Sequence, residues 1–422
     1  MTDICVIGGG PAGVFACFFA ANENKKVTLI ERNDDVLKKL LLTGNGKCNY
    51  SNSDLKSEYY NFGKDHPYSK LIEEFDSEKL EEFFMDRGMP TYGKNNCKYP
   101  RSERAETVKN VLSEMLTEKK VEVITGKKVV SAEYRPGKKI DVNAPAKQLS
   151  DKDLPHFILK FEDGGKIECK KLIIATGGKA YPSTGSDGGG YRLARALGHT
   201  VTFTYPVLTR LFTEDKSVKE MAGVRFKAKV SAVVEGETVS SEEGELQFTE
   251  NGLSGICIYN LSRYISKPLE DGLNCNVVVD FMPEMAKESM DYYIEKLIQK
   301  NKDWRGLLAN IFGEKTAGLI YKRIVSEANG ATGADLISHF TNGIKNYKIK
   351  ISGHDSFSNA QVTKGGVSID EVDENMASKI CPGLFFAGEV LDVDGKCGGY
   401  NLHFAFASGR RAGLSAGEQT GE

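Results

Sequence analysis

The spacing of apolar residues divides the chain into segments of two rhythms, one suited to strands and one to helices. Ile4 to Ile7 is a short β-branched run of the kind a buried parallel strand needs. Val14 to Ala21 is apolar over helical length and stops near Asn22 and Asn24, and Val27 to Ile30 is a second strand. Ser69 to Arg87 places Leu71, Ile72, Phe75, Leu80, Phe83 and Phe84 at helical spacing. Glu103 to Lys119 does the same with Val108, Val111, Leu112, Met115 and Leu116. Strands are then predicted at Val121 to Thr125, Lys128 to Tyr134, Phe157 to Phe161, Lys166 to Cys169 and Leu172 to Ala175. A polar stretch among them, Pro136 to Pro155, predicts an exposed loop or insertion. Tyr191 to Leu197 predicts a helix with Gly198 as its C-cap.

The rhythm changes from Thr200. Val201 to Leu211, Phe226 to Val234, Gly244 to Phe248 and Asn276 to Phe281 alternate or run apolar between turns, as in a small antiparallel β-domain. Met290 to Ile298, Trp304 to Ile311, Thr316 to Ala328 and Ala334 to Phe340 read as helices. Leu384 to Ala387 returns as a strand, so both ends of the chain supply pieces of one sheet. The predicted organisation is residues 1–198 as the first segment of a nucleotide-binding domain, 199–283 as an inserted β-domain, 284–345 as a helical subdomain and 346–422 as the return.

The turns between these elements carry the chemistry. Gly8-Gly9-Gly10-Pro11-Ala12-Gly13 follows the first strand directly and opens the first helix, and Glu31 closes the second strand. Strand, G-x-G-x-x-G, helix, strand and acid together form the dinucleotide fingerprint. Gly8 allows the tight turn, Gly10 lets the backbone approach a pyrophosphate, and Gly13 lets the helix pack on the strand. Amides at the helix N-terminus bind phosphate charge. Glu31 can accept hydrogen bonds from ribose hydroxyls and repels a 2′-phosphate, so the site suits FAD or NAD better than NADP. Thr176-Gly177 ends the strand Leu172 to Ala175 and turns beneath the nucleotide. The Gly185 to Gly190 cluster lacks a strand at the right distance and a following acid, so it predicts no second phosphate loop. Gly44-Asn45-Gly46 reads either as an ordinary surface turn or as a loop folded on a ligand, with Asn45, Cys48 and Asn49 as polar contacts.

Composition narrows the class. Lys and Arg number 56 against 58 Asp and Glu, a net charge of −2, so no polyanion or nucleic-acid partner is expected. The nine cysteines include no C-x-x-C pair, which predicts reduced thiols and excludes a redox disulfide of short spacing. No metal-ligand spacing is present. The apolar start has no basic leader and is broken by the first glycines; Val14 to Ala21 is too short to cross a bilayer. A cytoplasmic protein without membrane association is expected, and its oligomeric state stays open.

The motifs VIGGGPAG…LIER, TGNGKCN, LIIATGG, AQVTKGGV and GLFFAGEVLDVDGKCGGYNLHFAFASG occur in the order found in one family. Over nearly its whole length the chain resembles bacterial FAD flavoproteins described as aminoacetone-oxidase-like or NAD(P)/FAD-dependent oxidoreductases, which include the bile-acid-inducible N-type reductase. Lys47 stands where the family usually has Arg, and Cys397 where it often has Thr. The resemblance implies an α/β fold. A glutathione-reductase-like FAD-binding Rossmann domain comes in two segments, with an inserted antiparallel, barrel-like β-domain and a helical subdomain. It places Glu31 and Arg32 near the adenosine ribose, Lys39 and the Gly44 to Asn49 loop along the cofactor, and the Val129 backbone at the adenine. Gly388, Glu389 and Asp394 would line the pyrophosphate-to-ribityl side, and Asn401 and Leu402 would approach the flavin.

A second glycine turn, Gly398-Gly399, then has a purpose. It would set the N-terminus of a helix, near Tyr400 to His403, beside the pyrimidine end of the flavin, where aligned amides stabilise negative charge. Gly399 permits a close approach that a side chain would block. The expected reaction is reduction of a small-molecule C=C conjugated to a carbonyl, with NADH or NADPH as electron donor. Tyr400, His403 and Tyr181 are candidate proton donors, although a histidine among aromatics also serves as a packing residue. Two other activities fit the same residues: an O2-dependent amine or aminoketone oxidase, and a flavoprotein that acts on or binds RNA or holds FAD structurally.

Overall fold

A computed structural model of the protein describes residues 1–22, 24–137, 154–300, 304–328 and 330–418. The chain divides into two compact units, Met1–Thr204 with Val362–Glu422, and Tyr205–Gln361. Among the described residues no helix is long and apolar enough to cross a membrane. Most of the predicted loop Pro136 to Pro155 lies outside the described residues.

The larger unit is built on a seven-stranded sheet. Its parallel part runs Glu122–Ile124, Val27–Ile30, Thr2–Ile7 and Lys166–Ile174. Fully buried Ile4, Val6, Leu29, Leu172 and Ile173 explain why these strands read as continuous apolar runs rather than alternating ones. The two strands predicted at Lys166 to Cys169 and Leu172 to Ala175 are one strand that forks. Its first half pairs antiparallel with His156–Phe161, which pairs with Val129–Arg135. Its second half pairs parallel with Leu384–Phe386. The return strand thus lies two places from the first strand of the chain.

The ends are also joined by helices. Pro11–Ala20 packs along the C-terminal helix Tyr400–Gly417. The helices meet backbone to backbone: a Cβ at Gly409 would lie 2.3 Å from Ala12 O, and one at Gly413 2.5 Å from Ala16 O. Phe15 and Phe406 flank that seam with ring centroids 4.6 Å apart. The predicted helix Ser69 to Arg87 is two helices, Tyr68–Glu74 and Ser77–Met85. Asp76 breaks the run by accepting from Lys79 N as the N-cap of the second helix.

The unit Tyr205–Gln361 holds a second, antiparallel seven-stranded sheet. Arg225–Val234 is central, between Glu237–Thr249 and Cys275–Asp280. Tyr347–Lys350 pairs with Cys275–Asp280, so it belongs here rather than to the return segment that sequence began at residue 346. One core, with Val230, Phe248, Val277, Ile320 and Ile344 fully buried, joins this sheet to the helices Lys287–Lys300, Trp304–Phe312, Glu314–Ala328 and Gly333–Lys345. The β and helical segments read separately from sequence therefore share one interior.

Candidate cofactor site

The first glycine loop is fixed by its neighbours. Gly8 N donates to Ile30 O at 2.8 Å, and Ala175 N donates to Ile7 O at 2.9 Å, so the loop sits at the carboxyl ends of three strands. A Cβ on Gly13 would lie 1.9 Å from Gly8 O. At Gly10 the situation is opposite, because a Cβ there would meet no atom within 4 Å. The bare backbone at Gly10, the N-cap of Pro11–Ala20, borders open space at a helix N-terminus. That is a ready-made seat for an anion. Thr176 adds a second sign of a ligand: its buried Oγ1 has no hydrogen-bond partner among the described residues. Gly190, where a Cβ would fall 1.9 Å from that oxygen, leaves room beside it.

Glu31 is buried at the end of its strand. Its two oxygens accept from Gly9 N and Asn33 N, each at 2.7 Å. A carboxylate offers about four acceptor sites, which leaves capacity for ribose hydroxyls. Arg32 turns to the protein instead: its guanidinium donates to Gly185 O at 3.2 Å and pairs with Asp187 at 2.5 Å. With Asn33 donating to Thr184 O, it pins residues 184–187 as a wall beside the loop. Val129 is buried at the start of its strand, with its backbone on the sheet edge.

Lys39 and Glu389 bring the chain ends together, with Nζ 2.7 Å from Oε2. Glu389 also accepts from Thr363 N at 2.9 Å, which recruits the AQVTKGGV segment. Gly388 N donates to Ser408 Oγ at 2.9 Å, and a Cβ at Gly388 would lie 2.8 Å from Ala12 Cβ. Asp394 is fully buried, and Asn61 N donates to its carbonyl at 3.0 Å.

The second glycine turn rests on the Gly44 to Asn49 loop and the strand after it. Gly44, Asn45, Gly46 and Cys48 all have left-handed backbone, so the loop turns tightly, with Gly44, Asn45 and Lys47 exposed and Cys48 buried. Cys48 is packed inside it, and burial pushes its thiol up to about 12, so it does not serve as a polar contact. Oriented to satisfy both sides, the Asn49 amide donates to Ser51 O at 2.8 Å and accepts from Gly399 N at 3.3 Å. Gly399 has φ +98° and a Cβ there would lie 2.4 Å from Ser51 O. Asn52 donates to Gly398 O at 2.9 Å, and Tyr60 OH donates to Tyr400 O at 2.9 Å. Sequence reasoning missed Ser51, Asn52, Tyr60 and Thr363; only Thr363, inside a quoted motif, carried any signal.

Four residues expected to act at this end are engaged by the protein itself. His403 is fully buried, with Nδ1 2.8 Å from Ser51 Oγ and Nε2 2.8 Å from Phe75 O. Both nitrogens are engaged and burial holds its pKa down to about 4, so it is a neutral tie between elements rather than a proton donor. Tyr400 donates its hydroxyl to Asp54 O at 3.1 Å. Asn401 folds back to accept from Gly395 N at 2.8 Å and donate to Gly395 O at 3.0 Å, closing the turn that precedes the helix. Leu402 packs on the core. Tyr181 stands apart from these, half-buried on the turn after Thr176-Gly177, with φ +54°.

A glycine loop with open space at Gly10, an acid at the end of the second strand and a glycine-capped helix brought back from the far end of the chain define a Rossmann-type nucleotide-binding fold, and the protein is an FAD-dependent oxidoreductase. The family described as HI0933-like protein Rossmann domain matches residues 2–415, and the chain belongs to it. It is 34% identical to the 3-dehydro-bile acid delta(4,6)-reductase of Clostridium scindens, over 99% of this chain and 100% of the relative. It is 26% identical to the ribosomal RNA dihydrouridine synthase of Escherichia coli, over 96% of each chain. Among solved structures it is similar to a 3-ketosteroid-delta4-(5alpha)-dehydrogenase from Rhodococcus jostii, with TM-score 0.48 and 15% identity over 99% of this chain and 97% of that one. With an rRNA-modifying enzyme among the relatives, the expected absence of a nucleic-acid partner is not carried forward.

Proposed function

We propose that this FAD-dependent oxidoreductase is a reductase of a small, steroid-like molecule whose C=C is conjugated to a carbonyl, with NADH or NADPH as electron donor. The observation that carries this reading is the full-length match at 34% identity to a reductase of a 3-dehydro bile acid. Removing a double bond conjugated to a 3-oxo group is an attack by hydride on an electron-poor carbon, followed by proton addition. When bound, FAD supplies the hydride.

The residues of the chain supply the rest. Gly8 to Gly13 and the N-terminus of Pro11–Ala20 hold the diphosphate, and Glu31 the ribose. The Lys39–Glu389 pair sets the second turn against the first. The amides that open Tyr400–Gly417 favour negative charge at the flavin's pyrimidine end. With His403 sealed and Tyr400 donating to Asp54, Tyr181 is the candidate to deliver the proton. Its strained backbone is a feature found at working sites.

The test is anaerobic stopped-flow mixing of the FAD-loaded protein with NADH or NADPH, then with a 3-oxo-4,6-diene steroid. Bleaching by one nucleotide and recovery by the steroid, with one C=C of the diene reduced per flavin reoxidised, is expected. Tyr181→Phe should keep the bleaching and lose roughly a hundredfold in product formation. No bleaching with either nucleotide would end the reductase reading.

A second reading has its own support. Forming dihydrouridine in rRNA also saturates a C=C conjugated to a carbonyl, and the match to such an enzyme covers 96% of this chain. Dihydrouridine formed on an rRNA transcript, with the steroid left unchanged, would favour it.

A further inference from the structure

Seven of the nine cysteines are buried; Cys97 and Cys397 are the two that are only partly so. They come to one place although the whole inserted unit lies between them in sequence. Cys97 opens the strand Cys97–Pro100 and stands opposite Asn52 in the ladder. Its Sγ lies 3.8 Å from Gly398 O, the carbonyl of the residue bonded to Cys397. The Asn52 amide braces both groups, at 2.9 Å from that carbonyl and 3.9 Å from the sulfur. The charge Cys97 would carry as a thiolate is, after burial, a cause of the raised Cys397 pKa, so the two sulfurs lie within electrostatic reach of each other.

The geometry points to a modification site: Cys97 and Cys397 join reversibly as a disulfide under hydrogen peroxide, tying the hairpin to the turn that opens the C-terminal helix. Oxidation starts at Cys97, because burial pushes the Cys397 thiol up to about 12 and keeps its proton on. The Cys97 thiolate attacks one peroxide oxygen, the O–O bond breaks, and the leaving hydroxide takes a proton to become water. Cys97 is left as a sulfenic acid. The Cys397 sulfur then gives up its proton and attacks the Cys97 sulfur. The S–O bond breaks and a second water leaves. Two thiols are oxidised and one peroxide is reduced to two waters. The bond would fix the segment Cys397 to Gly399, whose backbone forms the flavin-side turn. Thr at position 397 has no sulfur to form this bond.

The FAD-loaded full-length protein is treated with hydrogen peroxide, alkylated, digested without reductant and mapped by mass spectrometry. A peptide pair joined through Cys97 and Cys397 is expected. It should disappear after thiol reductant, in Cys97→Ser and in Cys397→Thr. If Cys397→Thr fails to fold, Cys97→Ser, at a half-buried position at the start of its strand, decides alone. Oxidation of Cys97 to sulfinic acid with no cross-link, or a cross-link to one of the seven buried cysteines, would overturn the assignment.

Discussion

The two glycine turns of the larger unit are built in different ways. The first is closed largely within its own strand–helix–strand unit, where Gly13 abuts Gly8 and Gly8 N donates to Ile30 O, with Ala175 packed on Gly8 from a strand far along the chain. The second, Gly398-Gly399, is held by Asn49, Ser51 and Asn52 from a segment nearly 350 positions earlier in the chain. The first turn draws most of its contacts from the opening strand–helix–strand unit and only its lining at Ala175 from afar. The other exists only once the fold has assembled. On the proposed placement of FAD, the diphosphate end is specified mostly locally, while the flavin end depends on tertiary packing.

The sharpest test of this contrast is Gly399→Ala. The new Cβ would lie 2.4 Å from Ser51 O and 2.6 Å from Ser51 C, on a backbone with φ +98°. Strain and overpacking together should cost about 4 kcal/mol and release FAD. Urea unfolding and flavin absorbance after gel filtration read both effects. A yellow variant of wild-type stability would show that Ser51 yields easily, and the tertiary account of the second turn would fall.

The same contrast governs what the sequence discloses. The first loop is legible because its strand, glycines, helix and acid follow one another within one βαβ unit, and the apolar strands around it match their pattern. The return strand Leu384–Phe386 is legible for the same reason. The three-stranded sheet of Ser51–Asn52, Thr91–Lys94 and Cys97–Pro100 went unread, although Asn95-Asn96, both with positive φ, is a hairpin turn signal. Its strands are short and polar, so neither alternation nor an apolar run marks them. The helix Ile256–Glu270 was missed because Asn260, Ser262, Arg263 and Ser266 are buried on it, which blurs the helical stripe. Sequence spacing cannot show that His403 will meet Ser51 and Phe75, so it left a proton donor and a packing residue both open.

His403 supplies the next test, since it ties the second turn's helix to the segment that supports it. Its pKa falls from an ordinary 6.5 to about 4 on folding. The unfolded chain therefore binds the proton more readily than the native one. Stability from this group is complete above about pH 6.5 and is lost as pH falls through about 4, up to about 3 kcal/mol in all. Urea midpoints measured between those pH values should decline in the wild type. In His403→Gln the overall stability should be lower, but this component of the decline should be missing. An unchanged slope in that variant would mean that another group carries it.

The smallest stability effect falls on the first turn, and it separates folding from binding. Gly10 has φ −80° and no atom within 4 Å of the site its Cβ would occupy. The protein's own packing does not require glycine there. At an N-cap, alanine for glycine changes stability by about 0.5 kcal/mol or less. If the open space is where the diphosphate lies, the added methyl meets the ligand rather than the protein. Gly10→Ala should then unfold with the wild-type midpoint yet bind FAD at least roughly tenfold more weakly, a loss of about 1.4 kcal/mol. Fluorescence titration of FAD onto the apoprotein measures it. Glycine at the first turn would thus be retained for the coenzyme, whereas glycine at the second is retained for the fold. Equal FAD affinity in Gly10→Ala would remove the ligand from that space and leave the first turn without its functional half.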